Sequence, residues 1–205
     1  MSSTRGNPAA VDELKGEGDT SADPPAIWTF IVLDSASFAV FFAVFMAERL
    51  AQPALFDASS RLLDVRLGLT NTLILITSSW LVALAVAAGR RGDLRRLRAG
   101  LLGGILVGSA FAVLKLIEYI TKLAGGITPQ TNDFFGYYFC LTGIHFVHYL
   151  AGMIVLLVLL ARARKSQAVD PELMGWAVSG GIFWHLIDLL WVFLFPLLYL
   201  LGRVK

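Results

Sequence analysis

Charge is scarce in this 205-residue sequence. Asp, Glu, Lys and Arg make up only 16% of it, hydrophobic residues make up 57%, and mean hydropathy is +0.70. That composition excludes a water-soluble enzyme and a nucleic-acid binder. Cysteine is nearly absent too. The single Cys140 cannot close an intrachain disulfide, so a disulfide-stapled secreted domain is excluded, and its apolar setting predicts a buried, inert thiol. Three histidines are too few for a membrane di-iron oxygenase, and His145-Phe-Val-His148 is not the H-E-x-x-H of a zinc protease. A net charge of +2 lies too near balance to imply a polyanionic partner, and no internal repeat or low-complexity tract is visible.

What the sequence does contain is five apolar runs: 26–47, 67–88, 99–120, 134–161 and 176–201. Runs above about 18 residues with few charges read as membrane spans. At about 1.5 Å of rise per residue, each crosses a hydrocarbon core of roughly 30 Å, and in lipid the backbone must satisfy itself, so each is a helix. The predicted fold class is an all-α integral membrane protein, with five transmembrane helices bundled over residues 26–202. A polar loop punctuated by Pro53 joins the first two helices, and a basic turn, Gly89 to Arg98, joins the next two. Asn132 is a predicted helix N-cap, and Pro196 lies near the end of the last span.

Residues 1–25 carry two basic and five acidic side chains and little apolar surface, which predicts a disordered acidic cytoplasmic tail. They lack the basic start and apolar centre of a cleavable signal peptide. Flanking Lys and Arg number ten on the tail's side of the membrane and six on the other. The positive-inside rule therefore predicts a cytoplasmic N-terminus and an external C-terminus.

Several polar residues sit where lipid excludes them, at about 2.5–3.5 kcal/mol per charge on insertion scales. Asp34 lies roughly 10 Å into the first helix by helical rise. No opposite charge accompanies it there, so it needs a partner from another helix, a proton or water. Lys115 and Glu118 are three residues apart, as are His145 and His148, and His185 and Asp188. Leu141, His145, His148 and Gly152 follow the helical period along one face of the fourth span. The bland readings are an intrahelical Lys115–Glu118 ion pair, an interhelical hydrogen-bond pair at His185–Asp188, and packing for His145 and His148. The sharper ones are a bis-histidine haem shared with His185, or a proton- or metal-coupled transporter using Asp34, Glu118 and Asp188. A transporter ordinarily shows paired repeats and helices broken in mid-membrane, which are not visible here.

The segment from Phe183 to Tyr199 reads FWHLIDLLWVFLFPLLY, and Tyr137 to Gly152 reads YYFCLTGIHFVHYLAG. With KLIEYITK at Lys115–Lys122, NTLILITSSW at Asn71–Trp80 and LDSASFAVFFAVF at Leu33–Phe45, these resemble five helices of subunit III of the haem-copper oxidases, in order. The resemblance covers about Trp28 to Leu201. It implies a non-catalytic, five-helix subunit without the two N-terminal helices that form a lipid-holding cleft in seven-helix members. The implied partners are phospholipids and an oxidase or nitric oxide reductase catalytic subunit. Haem and copper or iron are expected only in that subunit, none in this chain, and the implied location is the bacterial inner membrane. Asp34 stands where the family usually has glutamate, about one methylene further from any partner, as the buried carboxylate and candidate proton site. Asn71, Lys115, Glu118, Tyr119, His145, His148, Trp184, His185 and Asp188 would form the polar core. The segments around Leu67–Val86, Lys115–Lys122 and Gly125–His145 look most like the accessory protein of bacterial nitric oxide reductases (the NorE type).

Overall fold

The computed structural model describes residues 25–203, with side chains from Trp28 onward. The tail expected over 1–25 lies outside the described residues, except for Pro25, which opens the first helix. All regular structure among the described residues is helical. It comprises α1 Pro25–Ala51, α2 Pro53–Ser60, α3 Val65–Arg90, α4 Leu94–Ala124, α5 Asp133–Lys165 and α6 Pro171–Phe195, then a π turn Pro196–Leu200 and a 3-10 turn Leu201–Arg203. Five of these segments are long and apolar enough to span a membrane, so the predicted five-span, all-α architecture is the one observed.

Helices α4, α5 and α6 begin ahead of their apolar stretches, where capping side chains start them in polar sequence. Asp93 accepts from the Arg96 N–H at 2.9 Å and Asp170 from the Leu173 N–H at 2.7 Å. Asn132 accepts from the Phe135 N–H at 3.0 Å, as its N-cap position required. Two local predictions need correction. The Pro53 loop contains a helix, α2, because proline suits a first helical turn and Phe56 is buried at 1% exposure beneath it. Cys140 is exposed, one position from the inward-facing Leu141, and lines an outer cleft with Glu48 and Tyr137. An apolar neighbourhood in a membrane marks the lipid boundary as readily as the core.

Helices α3, α4, α5 and α6 form a closed ring, each against the next and α6 back against α3, while α1 lies outside against α6 and α5. Only 11% of α1's most apolar stretch is buried, compared with 33–50% in the other spans. Large apolar side chains such as Leu106, Val147 and Ile154 point outward, where water would exclude them and lipid accepts them. The α3–α4 contact is the closest, because glycine removes the side chains between backbones. A Cβ on Gly100 would lie 2.7 Å from the Ala85 Cβ and 3.1 Å from its Cα, and Ser78 Oγ donates to the Gly104 carbonyl at 2.7 Å.

That closeness predicts that Gly100→Leu destabilises the chain by about 1–3 kcal/mol or more through overpacking. Gly143, with no atom within 4 Å of its would-be Cβ, should tolerate Gly143→Ala with no loss. Denaturant unfolding in mild detergent compares the two, and equal stabilities would contradict the packing account.

Candidate functional site

Lys115 on α4 is fully enclosed, at 0% exposure. Its Nζ donates to Glu118 Oε2 at 3.0 Å, one helical turn away, to the Tyr138 hydroxyl at 3.1 Å and to the Tyr199 hydroxyl at 3.2 Å. Tyr199 in turn donates to Glu118 at 2.8 Å. The π turn after Pro196 delivers that tyrosine: proline has no N–H for a regular turn, and the widened backbone buries Leu198 and Tyr199. The rings of Tyr119, Tyr138, Trp191 and Tyr199 surround the ammonium at 4.8–5.8 Å from their centroids. One positive and one negative charge thus share a sealed aromatic cage that joins α4, α5 and the end of α6. Tyr119 closes its side by a 2.7 Å bond to Thr142 Oγ1.

Trp191 links this cage to the next layer. Its indole N–H donates to Thr72 Oγ1 at 3.1 Å, and its ring lies 5.2 Å from that of His145. His145 is fully buried, against Phe111 and Trp191, and neither of its ring nitrogens has a hydrogen-bond partner among the described residues. Asn71 is likewise buried without a side-chain partner, and so is the indole nitrogen of Trp184, which packs against Tyr149 and close to Gly152.

His148, three residues on, points elsewhere. Its Nε2 lies 3.0 Å from Asp34 Oδ1 on α1, beside Phe38 at 5.5 Å between ring centroids. Asp34 therefore finds its partner on another helix, within reach despite its short side chain. His148 Nδ1 is 2.9 Å from the Ile144 carbonyl, which can only accept, so Nδ1 carries a hydrogen. The other carboxyl oxygen of Asp34, Oδ2, is buried without a partner among the described residues.

His185 and Asp188 form a third group, on the seam between α6 and α3. The imidazole Nδ1 hydrogen-bonds Ser79 Oγ on α3 and lies 4.0 Å from Asp188 Oδ2. The interhelical bond expected here is thus made to a serine, and the Asp188 contact stays within α6. The three histidines are dispersed to the core, the α1 side and the α3 seam, and they do not face one another as a shared haem site requires. Asp34, Glu118 and Asp188 likewise engage three different partners. Tyr138, Tyr199, Trp191, Thr72 and Ser79 complete these groups and were not singled out from sequence. All five lie within the segments that carry the family resemblance, Thr72 and Ser79 in Asn71–Trp80, Tyr138 in Tyr137–Gly152, and Trp191 and Tyr199 in Phe183–Tyr199.

The described geometry is that of a membrane bundle whose embedded polar groups mostly bond to one another. The family model described as cytochrome c oxidase subunit III matches residues 26–203. The chain belongs to that family. It is 26% identical to the cytochrome c oxidase subunit 3 of Thermostichus vulcanus, covering 98% of this chain and 96% of that one. It is 29% identical to the quinol oxidase subunit 3 of Bacillus spizizenii, covering 85% of each. It is also 27% identical to a heme-copper oxidase subunit I+III of Aeropyrum pernix, where 85% of this chain spans 22% of that protein's length.

Two outcomes follow from the site. Removing one member of the Lys115–Glu118 pair leaves a buried charge unpaired, so Glu118→Gln should cost about 3–5 kcal/mol, and adding Lys115→Met should recover most of it. Unfolding of the single and double variants in detergent checks this, and an additive double variant would contradict it. For Asp34 and His148, a double-alanine cycle should show coupling of about 0.6–1.7 kcal/mol, the range for hydrogen bonds between membrane helices. Zero coupling would mean the pair does not hold α1.

Proposed function

We propose that this chain is a non-catalytic subunit of a haem-copper oxidoreductase in the bacterial inner membrane. In this reading its tail is cytoplasmic, its C-terminus external, and it packs against a catalytic subunit that carries the haem and the copper or iron. The observation that carries the reading is the internal closure of the motif residues. Lys115, Glu118 and Tyr199 bond to one another in a sealed core, an arrangement suited to a rigid scaffold and closed to substrate. Family membership supports the partner, because cytochrome c and quinol oxidase subunits are both among the relatives.

Within that family we favour the nitric oxide reductase-associated branch, on the resemblance of the Leu67–Val86, Lys115–Lys122 and Gly125–His145 segments. Phospholipids would cover the apolar outer faces. The role is assembly and stability of the complex, with the Asp34–His148 pair as the candidate contribution to proton delivery.

A mild-detergent pull-down of the tagged chain from its native membrane, read by a reduced-minus-oxidised spectrum, tests the reading. The expected result is a co-purifying haem-copper subunit, with no haem in the chain purified alone. The partner's oxygen or nitric oxide reductase activity names the branch. His148→Ala should lower recovery of the partner and leave its Soret band unmoved. Proton or metal transport by the isolated chain in liposomes would instead favour the transporter that Asp34, Glu118 and Asp188 first suggested.

A further inference from the structure

We propose that the outer seam between α3 and α6 seats a transmembrane helix of the haem-copper catalytic subunit. This rests on the reading of the chain as a subunit of such an enzyme, and it adds which face of the bundle meets the partner.

The seam holds a groove of about 220 Å³ walled by Ala83, Val86 and Ala87 of α3 and by Val178, Gly181 and Ile182 of α6. Its walls are small at the centre: a Cβ added to Gly181 would lie 3.1 Å from Val86 Cγ2. Small residues let a second backbone come close, and helix association in lipid depends on such contact. Apolar walls alone would suit an acyl chain equally well. The polar groups along the seam decide between the two occupants.

At the foot of the groove the His185 side chain is 44% exposed, tied to Ser79 through Nδ1, and the Asp188 side chain beside it is 15% exposed. At the mouth, Arg90 is exposed and makes no ion pair or hydrogen bond with any described residue. From Ser79 to Arg90 is eleven positions of α3, or about 16 Å of helical rise, which sets the imidazole near mid-membrane in a core of roughly 30 Å. Ionisable side chains at that depth face protein or water, because lipid tails offer neither donor nor acceptor. Asp34, His145 and Glu118 obey that rule within this chain, and the His148 side chain is 23% exposed, whereas the His185 side chain opens outward about twice as far. A helix with a hydroxyl, amide or carboxyl opposite His185 completes it, and an acidic or carbonyl group near Arg90 completes the mouth. A phospholipid's phosphate would complete the mouth as well, but its acyl chain offers His185 neither donor nor acceptor, so the imidazole is the group that favours a helix. The opposite side of the bundle differs: Val113 of α4 and Val147 of α5 are exposed and apolar there, as a lipid-facing surface requires.

The test uses the full-length tagged chain expressed in its native membrane. Ala87→Trp fills the groove without touching the Lys115 cage, and Val147→Trp adds the same bulk on the lipid-facing side. Haem recovered per tagged chain should fall about tenfold with Ala87→Trp and stay at the wild-type level with Val147→Trp. In case Ala87→Trp fails to fold, a second measurement carries the test. In a Cys140→Ser background, a benzophenone attached at Ala83→Cys should photo-cross-link the haem-copper subunit, identified by mass, and one attached at Val147→Cys should not. Equal haem recovery from both tryptophan variants, or a phospholipid adduct at position 83, would overturn the seam while leaving the subunit reading intact. A haem-free eluate from the wild-type chain would overturn both.

Discussion

A lysine ammonium wholly inside a membrane bundle sets the terms for the rest of this structure. Lys115 can stay there only if an anion and several lone pairs or ring faces meet it, since an unpaired charge in low dielectric costs several kcal/mol. Glu118 supplies the charge from one turn along the same helix. The tyrosines that share the load come from elsewhere, Tyr138 from α5 and Tyr199 from the turn beyond α6. The need to surround one cation therefore ties together segments far apart in sequence. It also gives Pro196 a structural reason: the π turn it begins carries the Tyr199 hydroxyl to both oxygens of Glu118.

Helix α6 is the hub of what remains. Trp184 and Trp191 face the core, with Trp191 bridging Thr72, His145 and the lysine cage. Leu186 and Leu190 pack with Phe38 of α1, and Gly181 and His185 lie along α3. One helix thus meets the ring, the peripheral helix and the outer seam with three different faces, each built for its own contact. The aromatic face is large and rigid, the aliphatic face holds α1 lightly, and the third face mixes small and polar residues.

Much of this was legible in the sequence, and what was hidden has physical causes. Five spans were readable because a helix that crosses lipid must be apolar over a length set by the bilayer, whatever its neighbours. Lys115–Glu118 was readable because a spacing of three puts both on one helical face. The same spacing misleads at the histidines, since neighbours on one face can still reach different helices: His145 stays in the core and His148 reaches α1. Asp34–His148 could not be read from spacing, because the partners lie on separate helices and only the tertiary fold brings them together. Tyr119 was readable only through the family resemblance, and Tyr138 and Tyr199 were not singled out, because an aromatic in a membrane helix is ordinary until a cation sits on it. Cys140 shows the limit of composition: apolar neighbours do not tell the core from the lipid boundary.

The distribution of polar groups also separates stability from association. A group that closes on partners within the chain contributes to the bundle and offers nothing to a neighbour; Lys115, Glu118 and Tyr199 are of that kind. Asp34 and His148 are intermediate. Their bond pins a helix with only 11% of its apolar stretch buried, so it adds to an attachment that packing alone leaves slight. A group that opens outward at mid-membrane, as His185 does, is a cost to the isolated chain that association can relieve. A bundle built this way folds around its own lysine and leaves one polar seam for another protein to complete. Substitutions in the cage should therefore act on the chain itself, whereas substitutions along the seam should act on its assembly.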